Sequence, residues 1–194
     1  MPGNTPGIVE LTVRRWRDGS WEEASDAVAD EVPVALTFNS IPHVVMLATP
    51  ADLADLGRGF SFTEALVETP DEIRAVDVKQ AEQGMEVALS VPQHRLAQLL
   101  DRRRNLTGRT GCGVCGAETI EDAIRVPSAV APGGGMSRES LASALADLRS
   151  RQQLNARTGS LHAAAWVGWD GAIRFVREDV GRHNALDKVI GALL

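Results

Sequence analysis

The stretch that most constrains how this chain can fold is Arg109-Thr110-Gly111-Cys112-Gly113-Val114-Cys115-Gly116. Glycines flank and separate two cysteines, and these are the only cysteines in 194 residues. A run of this kind is poorly suited to the interior of a helix or a strand. It divides the chain into a strand-rich part before it and alternating helices and strands after it. The domain boundary is expected near residue 105, giving parts 1–105 and 106–194. The glycines also let a bulky ligand come close to the backbone. Two thiols at this spacing can reach one sulfur atom, one metal ion or each other. An isolated CxxC therefore points to chemistry, whereas a purely structural pair is expected among apolar residues.

Before this loop, apolar and polar residues alternate over 8–14, predicting a strand, and 16–30 is polar around the turn signal Asp18-Gly19. Strands are predicted at 32–38, with Pro33 near the start where proline is tolerated, and at 43–47, joined by a turn over 39–42. Thr49 and Pro50 read as the cap and first position of a helix that Gly57 ends, followed by a short helix over 62–67. Strands at 73–78 and 85–91 and a helix over 93–104, with Leu96, Leu99 and Leu100 on one face, complete the first half.

After the loop, a strand is predicted at 121–126, and Pro132-Gly133-Gly134-Gly135 forms a flexible connection. Ser137 caps a predicted helix that runs to about Gln153 with Leu141, Leu145 and Leu148 on one face. Strands at 163–169 and 173–177 flank the Asp170-Gly171 turn, and a helix over 181–194 is expected to bury Leu186, Val189, Ile190 and Leu193.

A hydrophobic share of 44% is enough for a real core, and no apolar run is long enough to span a bilayer. The N-terminus lacks a basic segment followed by an apolar one, and free CxxC thiols fit a reducing compartment, so a cytoplasmic location is expected. A net charge of −6 argues against nonspecific DNA binding, and the absence of tyrosine argues against stacking platforms for single strands.

Two further segments carry clustered polar residues. Thr158-Gly159-Ser160-Leu161-His162 leads into a strand of alanines. Its plain reading is packing of the alanines against the last helix, with His162 a hydrogen-bonded core histidine. The second is Arg177-Glu178-Asp179-Val180-Gly181-Arg182-His183-Asn184-Ala185-Leu186-Asp187-Lys188. Asp179 is placed to cap the helix, His183 and Asp187 share a face, and free N–H groups with Arg182 would make an anion site. Parallel neighbouring strands would bring Arg182, His183 and Asn184 together with Thr158, Gly159 and His162 in one pocket. Arg102, Arg103, Arg104 and Arg109 read either as a basic approach to the cysteine loop or as a solvated helix end.

A catalytic zinc site needs three or four ligands; the cysteines supply two, and His162 or His183 could supply a third. The deaminase pattern, however, has a His-x-Glu and a proline before its CxxC, and here Gly111 replaces the proline and no His-x-Glu precedes it. A thioredoxin-like dithiol opens a helix after a first strand, which this glycine loop does not. Sulfur carriage is the third option: a thiolate takes sulfur from a donor persulfide and passes it on from an exposed, mobile loop.

The chain resembles the formate dehydrogenase accessory sulfurtransferases, the FdhD/NarQ family. The resemblance rests on Asn39, on Met46-Leu47-Ala48-Thr49-Pro50-Ala51-Asp52-Leu53 through Gly59-Phe60, on Cys112-Gly113-Val114-Cys115-Gly116 and on the two polar segments above. It implies a small N-terminal α/β part and a C-terminal three-layer α/β domain similar to the cytidine-deaminase fold. It implies sulfur transfer from a cysteine desulfurase to the molybdenum (or tungsten) bis-guanine-dinucleotide cofactor for formate dehydrogenase, with no resident metal, no nucleic acid or membrane partner, and room for a homodimer. The persulfide falls on Cys112 or Cys115. The first cysteine of a CxxC is usually the more exposed thiolate, and Arg109 lies three residues before it. The cofactor falls on Thr158, Gly159, His162, Asp179, Gly181, Arg182, His183, Asn184 and Lys188. Ser160-Leu161 depart from the family's pattern of a second glycine and a small residue. The family also continues past the last helix, so the second domain and the cofactor site are expected to be incomplete in a chain ending at Leu194. A zinc-dependent, deaminase-like hydrolase and a non-catalytic binding protein for the cofactor or formate dehydrogenase are the competing expectations.

Overall fold

A computed structural model of the chain describes residues 5–105 and 129–194. An Asp-Gly pair suits a two-residue hairpin because both positions must take positive φ. Here φ is 51° at Asp18 and 83° at Gly19. The turn joins β1 (Ile8–Arg17) and β2 (Ser20–Ala29) into a long antiparallel ribbon. Most of the polar stretch over 16–30 is therefore strand, held by cross-strand pairing and not by burial, which is why its composition concealed it.

The main sheet has the order β4-β3-β6-β5, built from β3 (Val32–Phe38), β4 (Ile41–Ala48), β5 (Ala75–Ala81) and β6 (Gly84–Ser90). Only β3 and β6 are parallel; the other pairs are antiparallel. The β3–β6 ladder is extended by a side chain. Asn39, at φ 48°, donates from Nδ2 to the Val91 carbonyl at 3.0 Å and accepts from the Val91 N–H at 2.9 Å. One face of the sheet carries Val34, Leu36, Phe38, Val87 and Leu89. It packs on Leu53 and Leu56 of α1 (Leu53–Thr63) and on Leu96 and Leu99 of α2 (Gln93–Asn105).

The helix expected to start at Thr49-Pro50 and stop at Gly57 instead starts at Leu53, behind Asp52 in the left-handed region, and runs through Gly57 to Thr63. Thr49 is not free to cap it, because its hydroxyl and N–H bond residues 180 and 179. Gly57 serves packing: a Cβ there would lie 2.7 Å from Cγ1 of Val87. The separate helix expected over 62–67 is the end of α1 and the turn after it.

In the second half, Ser137 caps α3 (Arg138–Arg151) as expected, its Oγ accepting from the Ser140 N–H at 3.0 Å. The leucine face of α3 is not a core face. Leu141 and Leu145 are exposed, and Ala144 is the helix's buried residue. A one-turn helix α4 (Asn155–Thr158), unmarked by any periodicity, leads to the antiparallel hairpin β7 (His162–Val167) and β8 (Ile173–Asp179). The last helix, α5 (Arg182–Leu193), packs on this hairpin and on α1. Its buried stripe is Ala185, Lys188, Val189 and Gly191, while Leu186 and Leu193 are exposed.

The reason for that stripe is the closeness of α1 and α5. A Cβ added to Gly59 would sit 1.8 Å from the carbonyl oxygen of Asp187, and one added to Gly191 would sit 1.9 Å from that of Asp55. The two backbones meet at paired glycines, and only small residues fit between them. The fold is mixed α/β, and this crossing ties the main sheet to the second half.

Candidate functional site

Three consecutive charged residues end β8, and each is taken up inside the chain. Arg177 donates from Nε and Nη2 to Asp55 Oδ2, at 2.9 and 2.7 Å, joining β8 to α1. Glu178 accepts from the N–H groups of Leu154 and Asn155, at 3.0 and 2.8 Å, and so caps α4. Asn155 in turn accepts the Leu161 N–H on its Oδ1 at 3.0 Å, which fixes the loop over 158–161.

Asp179 is fully buried, and so is Lys188, one helical turn past Asn184. Lys188 Nζ lies 2.6 Å from Asp179 Oδ2. The same carboxylate accepts from the N–H groups of Thr49 and Gly181 and from Nδ2 of Asn184, at 3.0, 2.8 and 3.1 Å. Lys188 also donates to the carbonyls of Thr49 and Glu178, and Asn184 to that of Leu47. Burial pulls the Lys188 ammonium below the ordinary lysine value, while Asp179 pulls the other way. A buried carboxylate with this many donors is a satisfied frame. It pins the end of β4 to the start of α5.

Asp179 is expected from the sequence as a helix cap, but it bonds the N–H of Gly181, the residue before the helix, and no side chain caps α5 among the described residues. The first turn of α5 keeps its N–H groups clear of side-chain caps, and Arg182 and His183 there are exposed. His162 pairs in register with Asp179 and is also exposed, so it is not a core histidine. Thr158 donates from Oγ1 to the Leu154 carbonyl, and Gly159 ends α4 at φ 67°. The two polar segments do lie at one end of one hairpin. Antiparallel pairing of β7 with β8 brings them there, not the parallel neighbours expected.

The nine candidate residues thus separate by position. His162, Arg182 and His183 face outward with Gly159, where a ligand's anionic groups could meet cationic and N–H donors. Asp179, Asn184 and Lys188 are bonded within the frame. Cys112, Cys115 and Arg109 lie outside the described residues, as does the strand predicted at 121–126. Among the described residues, no three histidine, cysteine, aspartate or glutamate side chains gather as a metal site, and no helix is long and apolar enough to cross a membrane.

Sequence reasoning missed Thr63, and it read Thr49 as a helix cap where Thr49 instead bonds Asp179 and Val180. Thr63 donates from Oγ1 to Asp187 Oδ1 at 2.9 Å across the α1–α5 crossing. Burial pushes the Asp187 carboxyl up to about 6; Glu64 adds to this, while Thr63 and His183 oppose it. The folded value exceeds the unfolded one, so the stabilisation from this proton is complete below pH 4 or so and is lost as the pH rises through about 6. Asp187→Asn is expected to flatten that segment of the stability curve and to stabilise the chain at neutral pH by about 1 kcal/mol. Urea unfolding at a series of pH values checks it; an unchanged slope between the two values contradicts it.

The sequence matches the FdhD/NarQ family over residues 29–194. The chain belongs to this family. A relative from Xanthomonas campestris pv. campestris (strain B100), named sulfur carrier protein FdhD, is 48% identical over 188 residues, which cover 97% of this chain and 67% of the relative. One of the same name from Cupriavidus necator is 47% identical over 94% of this chain and 64% of its own length. The chain spans about two thirds of the length of these FdhD relatives. Its fold is similar to that of a Desulfotalea psychrophila protein described as a formate dehydrogenase accessory protein, with a TM-score of 0.66 at 22% identity, covering 97% of this chain and 67% of the other.

Proposed function

We propose that this chain is a persulfide sulfur carrier that serves formate dehydrogenase. The observation that supports it best is the close identity, over nearly the whole chain, to relatives named sulfur carrier proteins, in a chain whose only two cysteines form one CxxC. The Cys112 thiolate attacks the terminal sulfur of a cysteine desulfurase persulfide. That S–S bond breaks, the desulfurase thiolate leaves, and a new S–S bond forms on Cys112 with no net oxidation. The acceptor is the molybdenum bis-guanine-dinucleotide cofactor, as substrate. Cys115 then attacks the inner sulfur of the persulfide. A Cys112–Cys115 disulfide forms, the terminal sulfur leaves as sulfide with the bonding electron pair, and a thiol reductant returns two electrons before the next round.

Arg182, His183 and His162, exposed at the shared end of the β7–β8 hairpin, are the residues proposed to meet the phosphates of that cofactor. The basic run Arg102-Arg103-Arg104 is proposed to draw the anion in. The test is loading by a desulfurase and cysteine, followed by transfer. Cys112→Ser abolishes loading, whereas Cys115→Ser loads but transfers poorly. Normal loading by both variants rules the persulfide step out.

A further inference from the structure

A cleft of about 470 Å³ opens between the end of α3, the loop before α1 and β8. That volume lies within the range of small-molecule sites. Arg174, Val176 and Glu178 alternate along β8, so they share one of its faces. Asp179, which pairs with Lys188, lies on the other face, as does its register partner His162. The cleft is therefore separate from the exposed His162, Arg182 and His183, none of which lines it.

Charges of both signs line this space. Arg151 and Arg174 are half-exposed there, and each is steadied by an aspartate outside the lining. Arg151 Nε lies 2.7 Å from Asp147 Oδ2, and Arg174 Nη2 lies 2.6 Å from Asp170 Oδ2. A guanidinium carries five N–H donors, so each of these bonds leaves most of the fork for a ligand. Carboxylates suit such a fork.

Asp52 supplies the opposite sign. It holds the cap position of α1, where an aspartate ordinarily accepts a helix N–H. Here it lies at φ 53°, and its side chain makes no cap bond and lines the cleft instead. Arg177 Nε stands 3.6 Å from Asp52 but bonds Asp55 more closely, at 2.9 Å. Glu178, the second carboxylate of the lining, already accepts the N–H groups of Leu154 and Asn155.

We propose that this cleft binds a free α-amino acid with an uncharged side chain, its carboxylate on Arg151 and Arg174 and its ammonium on Asp52. A simple anion would bring its charge against Asp52 and Glu178, and a simple cation would meet two arginines. A zwitterion answers both signs at once. Ala51, Leu154, Ile173 and Val176 also line the cleft, and they give apolar contact to a side chain such as that of leucine.

Titration calorimetry of the whole chain with L-leucine is expected to give a saturable isotherm. Isocaproate, which lacks the ammonium, and isoamylamine, which lacks the carboxylate, should each bind at least about tenfold more weakly. Arg174→Ala and Asp52→Asn should each weaken L-leucine binding at least about tenfold, with unchanged circular dichroism spectra. Asparagine tolerates the left-handed turn as aspartate does. Arg149→Ala, exposed on α3 but outside the lining, should bind as the wild type does. The probes need neither desulfurase nor cofactor, so the result stands whether or not the CxxC carries sulfur. No heat of binding from L-leucine up to its solubility limit overturns the proposal. So does isocaproate or isoamylamine binding as tightly as L-leucine, or wild-type affinity in Arg174→Ala or Asp52→Asn.

Discussion

Gly191→Ala is expected to cost the chain about 3 kcal/mol or more, at or beyond the upper end of what overpacking usually costs. An alanine methyl at this position would lie 1.9 Å from the carbonyl oxygen of Asp55 and 2.8 Å from the amide nitrogen of Gly59. Both obstacles are backbone, so no rotamer change relieves the clash, and α1 and α5 must move apart. Separation would loosen the Thr63–Asp187 bond across the crossing and the Arg177–Asp55 pair that joins α1 to the neighbouring β8. Gly59→Ala should behave alike, because its methyl meets the Asp187 carbonyl at 1.8 Å. Gly135→Ala is the control, since nothing lies within 4 Å of a Cβ there. Urea unfolding measures all three. Wild-type stability in Gly191→Ala would mean that the helices are not in backbone contact.

Lys188→Met is expected to lose about 3–5 kcal/mol, the usual cost of breaking a buried ion pair from one side. The variant leaves the Asp179 carboxylate without its cation and removes the donor to the Thr49 and Glu178 carbonyls. Asp179→Asn combined with Lys188→Met should cost less than the sum of the single changes, because no uncompensated charge stays inside. By contrast Arg182→Ala and His183→Ala, at exposed positions, should stay within about 0.5 kcal/mol of wild type. A chain in which Lys188→Met is as stable as Arg182→Ala does not use this pair as its frame.

These contrasts show what the residue pattern disclosed and what it hid. Strand β3 was legible to the residue, because a run of β-branched and apolar residues buried on one face has few other uses. The hairpin turn at Asp170-Gly171 and the Ser137 cap were legible for similar local reasons. Strand β2 was not, because its residues are polar and its partner, not a core, holds it. The stripe of α5 was misread because leucines outrank glycine and lysine as core markers, and the close approach of a second backbone leaves no sign in one helix's own periodicity. In the polar segment over 177–188, density of charge was visible, but its division was not. Arg177, Glu178, Asp179, Asn184 and Lys188 bond across long sequence separations, and only the fold separates them from Arg182 and His183, which face outward.

The central claim is that the CxxC carries sulfur. The direct measurement is mass spectrometry of the peptide containing Cys112 and Cys115 after the chain has been incubated with a cysteine desulfurase and cysteine, without reductant. The account predicts the mass of one added sulfur atom on this peptide, lost on treatment with a thiol reductant and absent in Cys112→Ser. A peptide of unchanged mass, from a desulfurase shown to be loaded itself, would contradict it.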